Sequence, residues 1–587
     1  MKKIFSLLLT GFVFVATVDA QSLPPVFGQE YSGKVFHDSR VRSYITPQRI
    51  VWKYDGGGRL LKNPESLLTS GHNGQSVLAN QPSFCMYSTG NEFPSIVLDF
   101  GKEIQGGIQL VTTAEGRHDP VKIRVRFGES VSEAMSDAGK QGATNDHAMR
   151  DFTVETPWLG VVEIGNSGYR FVRIDLIEPN CALYLKEVNA VFAYRDIPYL
   201  GEFRCNDERL NRIWMTGAYT VHLNMQEYIW DGIKRDRLVW LGDLHPEVMT
   251  VCTVFGYNDV IPKSLDLARD ITPLPGWMNG MFSYSLWWII IHRDWYRYQG
   301  DLDYLKRQKS YLSDLLRLLF TEVDASGKRV HEGGFLDWPS SPNGKGIDAG
   351  VHALMAMAFQ AGAELCDILG DRSLSAECAA VANRMRQHVP YHNRLKQAAS
   401  LLALAGIMPA RQANDEVIAV DGAKDFSTFY GYYMLQAQAK AGEYQVAMDN
   451  ISRFWGGMLD MGATTFWEDF NLDWMENAAG IDELVPEGKK DIHADFGAYC
   501  YEKLRHSLCH GWASGPTAWL SEHVLGVQVV SAGCTTLRIE PHLGNLQWVE
   551  GAFPTPFGTV KISHRKNAAG KIISDVKAPK GVKIILK

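Results

Sequence analysis

The hydrophobic period of this chain changes twice, and no single-layer fold accommodates that. From residue 21 to about 200 apolar residues alternate with polar ones. Residues 95–100 do so before a glycine, residues 121–128 run apolar and basic by turns, and residues 169–176 repeat the pattern. A period of two punctuated by Gly and Asn reads as short strands, and several together predict a β-sandwich. Near residue 206 the period lengthens. Leu210, Ile213, Trp214, Ala218 and Val221 make one helical stripe, with Asn206 or Asp207 placed to cap it. Such stripes recur over 285–298, 311–323, 348–369, 374–388, 427–441, 444–454 and 516–525. From residue 527 strands return over 537–541, 553–560, 571–576 and 582–586, a small C-terminal β-sandwich. At 587 residues the chain exceeds one core. The expected domains are 21–200 (β), 201–525 (all-helical) and 526–587 (β).

Residues 1–20 have the pattern of a secretory signal: Lys2 and Lys3, an apolar run over 4–18, and Val18-Asp19-Ala20 as a cleavage site before Gln21. The expectation is a secreted or periplasmic protein. No Cys follows the site and no long apolar run recurs, so no membrane anchor is expected. The net charge of −7 is spread without a basic run, which argues against a nucleic-acid partner. Nine Cys stand singly with no C-x-x-C, so neither a zinc site nor a disulfide framework is indicated. His245-Pro246-Glu247 lacks the spacing of a metal helix, and no metal ligand is assigned.

The chemistry concentrates in Asp231-Gly232-Ile233-Lys234-Arg235-Asp236-Arg237-Leu238-Val239-Trp240-Leu241-Gly242-Asp243. Carboxylates bind hydroxyls or move protons, and a Trp stacks on the apolar face of a pyranose. This stretch therefore suits a sugar, with Asp231, Arg235, Asp236, Trp240 and Asp243 as candidate site residues. The plain structural alternative is a solvated, charged helix end beside a core Trp.

The stretch resembles the α-L-rhamnosidases of glycoside hydrolase family 78, a common form of which reads D-C-P-Q-R-E-R-L-G-W-T-G-D. Asp231, Arg235, Arg237, Leu238, Trp240, Gly242 and Asp243 match without a gap. Asp236 falls where the family has its general-acid Glu, and Val239 replaces a Gly. The resemblance continues in order from about residue 95 to the end. It takes in a strand closing on Asp99-Phe100-Gly101, Gly128-Glu129, Gly168-Tyr169-Arg170-Phe171-Val172, and a Thr-Pro-Phe-Gly turn at 555–558. It implies that the helical region is an (α/α)6 toroid flanked by the two β-sandwiches, and that the enzyme hydrolyses glycosides with inversion. Asp236 would be the general acid, Asp231 and Asp243 the carboxylates that hold sugar hydroxyls.

Glycoside hydrolysis by inversion needs a second carboxylate to activate water. Gly462-Ala463-Thr464-Thr465-Phe466-Trp467-Glu468 is similar to the family's G-A-T-T-x-W-E, whose Glu is the base, which assigns Glu468 that role. A capped helix start is the structural alternative there. By the same resemblance Asp337 and Trp338 of a G-D-W loop, His510, and Trp288 of the Trp287-Trp288 pair are sugar-binding positions. The implied substrate is an oligo- or polysaccharide of plant or microbial origin carrying terminal α-L-rhamnosyl or a similar sugar. No organic cofactor is needed, and nothing in the sequence indicates calcium. Two other readings stay open: another glycosidase or a polysaccharide lyase on the same toroid, and a catalytically inactive carbohydrate-binding relative.

Overall fold

A computed structural model describes residues 23–587 except 32, 72, 79–82 and 116–117; the secretory-signal reading of 1–20 lies outside the described residues. The chain divides into two compact units, residues 1–39 and 40–587. The described part of the first holds two single turns, Pro25–Phe27 and Gln29–Tyr31, with the Phe27 and Tyr31 rings edge to face at 5.2 Å. Everything below concerns the second.

Its N-terminal part is one hydrogen-bonded network of nine antiparallel strands. Val121–Gly128 falls where alternation placed it, apolar side inward. Ser95–Thr112 and Val161–Leu176 are longer than the alternating runs that announced them. Ser95–Thr112 pairs with Arg49–Tyr54 along its first half and with Ala182–Tyr194 along its second, shifting register between. Gly106, at φ 146°, sits in the shift, where an added Cβ would stand 1.9 Å from the Val191 carbonyl oxygen. Only glycine lets the two backbones pass so closely.

The middle of the chain is helical. Leu244–Val254 packs on Phe282–Gln299, that on Gly344–Ile368, that on Lys396–Leu404, that on Gly431–Lys440, that on Gly515–Trp519, and this last on Leu244–Val254 again. Helices outside this cycle back onto it: Glu208–Asn224 on Gly515–Trp519, Leu302–Phe320 on Phe282–Gln299, Arg372–Gln387 on Gly344–Ile368. Asp207 caps the first of these, its carboxylate accepting from the Arg209 and Leu210 amides. Every residue of Leu244–Val254 is buried, as an inner helix touched from all sides requires.

The C-terminal strands make two small sheets. Val527–Ser531, Thr536–Ile539 and Lys583–Leu586 form one. Trp548–Thr555, Gly558–Lys566 and Ile572–Lys577 form the other, and Glu202–Cys205, from the start of the region read as helical, adds to its edge. Among the described residues no helix is long and apolar enough to cross a membrane.

Candidate active site

The thirteen-residue motif is not a solvated helix end. Asp231 and Asp243 are 1% and 2% exposed. The Asp231 carboxylate accepts from the Leu238 amide at 2.9 Å, closing the motif into a loop, and the Asp231 amide donates to the Leu238 carbonyl at 3.0 Å. Asp236 and Arg237 take left-handed backbone, φ 55° and 58°. Asp is among the few side chains that adopt this conformation at low cost, whereas Glu lacks the short polar arm that makes it tolerable. The left-handed turn sends neighbouring side chains opposite ways. Arg235 reaches inward to Glu468, Arg237 lies over the Trp230 ring outside, and Asp236 lines the cavity.

Asp231, Arg235, Asp236, Trp240, Asp243, Trp338, Glu468 and His510 line one cavity, although 279 positions separate the outermost two. No helix begins at Glu468. Residues 463–468 run as an extended loop pinned by three hydroxyls: Thr464 accepts from the Glu103 amide, Thr465 donates to the Leu508 carbonyl, and Thr220 accepts from the Phe466 amide. One Glu468 carboxylate oxygen pairs with the Arg235 guanidinium; the other accepts from the Ser507 amide at 3.1 Å. Tyr284 donates its hydroxyl proton to Asp243 at 2.9 Å. His510 bridges two acids, with Nε2 3.4 Å from Asp243 and Nδ1 3.8 Å from Glu468. Asp236 is more open than these, with the Trp240 indole N–H donating to one oxygen at 3.0 Å.

Burial dominates the electrostatics. It lifts the Asp231 carboxyl well above the carboxylate range, helped by the charges of Asp236 and Asp243, and lifts Asp243 likewise against the stabilising Tyr284 bond. Glu468 is raised to about 7 by burial, with Arg235 pulling the other way. Burial also keeps His510 neutral, well below the usual imidazole range, reinforced by Arg235. The site therefore contains a buried carboxylate that ionises near neutrality beside a permanent cation, and a second, half-open carboxyl.

Two expectations need correction. Trp288 is fully buried, donates to the Leu265 carbonyl at 3.2 Å and packs on His292, away from the cavity. Its neighbour Trp287 is buried against the rings of His245 and Tyr433, so both are core. Asp337 is 1% exposed with both oxygens engaged, by the Ser340 amide, the Gln397 side chain and the Ser427 hydroxyl. It shapes the turn that presents Trp338 and does not itself reach the cavity. Four aromatic walls were not anticipated: Tyr284, Phe335, Tyr501 and Trp512. Of these, Phe335 and Trp512 lie in the stretches 333–339 and 507–512 that also carry Trp338 and His510, and Tyr284 and Tyr501 lie in neither.

The motif is bolted to the β domain. Lys234 points away from the cavity into a buried acidic cluster, 2.9 Å from Glu129 and 3.2 Å from Glu133. It also donates to the Leu504 and His506 carbonyls at 3.1 and 2.6 Å. Glu129 accepts from the Leu508 amide at 2.6 Å, next to the Ser507 amide that holds Glu468. Glu129, Glu133 and His493 are close enough together to hold a metal. Lys234 already supplies the cation, however, and both His493 nitrogens are bonded, to the Ser130 hydroxyl and the His506 carbonyl. Replacing Lys234 by Met is expected to leave two carboxyls buried without their cation. Stability should fall by about 3–5 kcal/mol, read as a shift of the urea midpoint at unchanged slope.

The cycle of paired helices agrees with a six-hairpin domain. Residues 198–398 match the family described as bacterial alpha-L-rhamnosidase 6 hairpin glycosidase domain, and residues 526–587 match the bacterial alpha-L-rhamnosidase C-terminal domain. Among solved structures it is similar to the GH78 family rhamnosidase of Bacillus sp. GL1, with 21% identity and a TM-score of 0.72 over 89% of this chain and 55% of that one. It is also similar to the Streptomyces avermitilis α-L-rhamnosidase complexed with L-rhamnose, at 18% identity and TM-score 0.68 over 86% and 50% of the two chains. The Klebsiella oxytoca rhamnosidase with rhamnose bound aligns at 17% identity and TM-score 0.63, over 82% of this chain and 95% of that one. At these identities the likeness is one of fold, and this chain spans about half the length of the first two. No curated protein matches the sequence.

Proposed function

We propose that the protein is an exported, inverting glycoside hydrolase that releases terminal α-L-rhamnosyl or closely similar residues from plant or microbial oligo- and polysaccharides. The observation that carries this reading is the single cavity in which Glu468, held by Arg235, meets Asp231, Asp236, Asp243 and His510 between Trp240 and Trp338. Asp236 gives its proton to the glycosidic oxygen as the bond from C1 breaks and its electron pair stays on that oxygen. Glu468 takes a proton from the water that adds to C1. Asp231 and Asp243 bind hydroxyls. Trp240 and Trp338 offer faces for the sugar ring. The closed cycle of inner helices supports the (α/α)6 toroid, and the partner-switching strands support the N-terminal sandwich.

The test is a panel of 4-nitrophenyl glycosides, followed by proton NMR of the first product formed. Hydrolysis selective for the α-L-rhamnoside, with the β-anomer of free rhamnose appearing first, is the expected result. Release of the α-anomer first would rule out inversion. Activity confined to another glycoside would replace the sugar but keep the mechanism, and no turnover with retained rhamnose binding would favour a carbohydrate-binding protein.

A further inference from the structure

The half-open acid has a partner from a different domain. His147, in the β domain after Val131–Met135, brings Nε2 to 3.2 Å from Asp236 Oδ1, with both side chains partly exposed at 30% and 20%. Both Asp236 oxygens have a neighbour: the Trp240 indole donates to Oδ2, and the imidazole stands close to Oδ1. The charged groups around His147 are few. Asp146 lies 3.6 Å from the ring and Arg505 3.5 Å. Arg505 binds Asp146 at 3.1 Å, so the aspartate next to His147 has its own cation and the closest acid to the imidazole is Asp236. On the other side Asp236 faces Arg235 at 3.6 Å, and its charge reaches Asp231, Asp243 and Glu468.

We infer that His147 is a positioning residue for the general acid: its imidazole stands against one Asp236 oxygen at the mouth of the cavity and relays the replacement proton from solvent. This rests on the assignment of Asp236 as the acid. A carboxyl serves as an acid only while it is protonated, and a half-open one exchanges its proton with water. An imidazole has two ring nitrogens, so it can face a carboxyl with one and solvent with the other and pass a proton between them. Turnover begins with the acid's proton on Asp236. It leaves from Asp236 to the glycosidic oxygen, which also keeps the electron pair of the broken C1–O bond. Water adds at C1 and its proton goes to Glu468. His147, at the mouth, then relays a proton from solvent to Asp236 while Glu468 returns its own. The β domain thereby contributes directly to the acid half of the reaction. It also explains how a shorter Asp serves where the related enzymes have a Glu: the carboxyl is flanked on both sides at a left-handed turn.

The experiment compares His147→Ala and His147→Gln with the unaltered protein on 4-nitrophenyl α-L-rhamnoside and on an α-L-rhamnosyl disaccharide, across pH. His147→Ala should lose about 10–100-fold in kcat/KM on the disaccharide, whose leaving group needs the proton, and much less on the aryl glycoside. The basic limb of its profile, which reports the acid's ionisation, should move, because the imidazole no longer faces the carboxyl. His147→Gln keeps a hydrogen-bond donor without titrating and should show the same displaced limb. Equal losses on both substrates, an unmoved limb in His147→Ala, or a limb restored by Gln would each overturn the proposal. Asp236→Asn run in parallel separates the two readings. If it shows no dependence on the leaving group, the acid assignment itself has failed; if it does and the His147 variants do not, only the pairing has.

Discussion

Glu468→Gln should reduce kcat at least 100-fold while binding of L-rhamnose, measured by calorimetry, stays within a few-fold of the unaltered protein. Gln preserves the shape and one acceptor oxygen, so the Arg235 and Ser507 contacts survive in part, but it cannot take the proton of the attacking water. The same carboxyl sets the acid side of the pH profile. Its pKa is raised to about 7 by burial, and the base works only when ionised. Activity should therefore climb as pH rises through about 7 and fall away below it. Removing Arg235 takes away the cation that favours the ionised form, so in Arg235→Met the acid limb should move to higher pH. A Glu468→Gln variant with near-normal kcat would remove the base from this position.

Asp236→Asn should be the most selective lesion. On a rhamnosyl disaccharide kcat/KM should drop about 100- to 10,000-fold, the range that a positioned acid contributes. On an aryl rhamnoside with a good leaving group the drop should be far smaller, and the basic limb should vanish. Asn tolerates left-handed backbone as Asp does, so the turn at φ 55° survives and the effect reads the proton rather than the fold. Asp236→Glu is informative in the opposite sense. The longer side chain would have to displace the Trp240 and His147 contacts and strain the turn, so it should be slower than the natural Asp. A faster Asp236→Glu enzyme would mean that the shorter acid is a defect.

These expectations were open to sequence reasoning to very different degrees. The strand Val121–Gly128 was legible because one face is apolar and the other carries Lys122, Arg124 and Arg126, the first exposed and the other two paired with Asp151 and Asp175, which writes a period of two into the chain. The helix Leu244–Val254 was not, because burial on all sides erases the stripe that reveals a helix. Within the site, Asp231, Arg235, Asp236, Trp240 and Asp243 share one loop and could be read together. The base, 225 residues beyond Asp243, was placed only by resemblance to a family motif. Trp288 and Trp338 are the same residue type beside similar motifs. What separates them is that Trp288 sits in the apolar run 286–291 of a helix and Trp338 on a turn shaped by Asp337, whose partners Gln397 and Ser427 lie 60 and 90 residues away. His147 comes from a polar stretch without period, and nothing in that stretch announces a neighbour 89 residues on.

The strand Glu202–Cys205 works as a clasp. Its register with Trp548–Thr555, Cys205 opposite Val549, ties the first residues ahead of the helices to a sheet made from the last residues of the chain. The helical region is thereby stapled at both ends by backbone hydrogen bonds rather than by a covalent link. A protein cut back to residue 525 would not simply lose an appendage. It would take from Glu202–Cys205 the one strand it pairs with, so the C-terminal sheet fixes the way the chain enters the helical region.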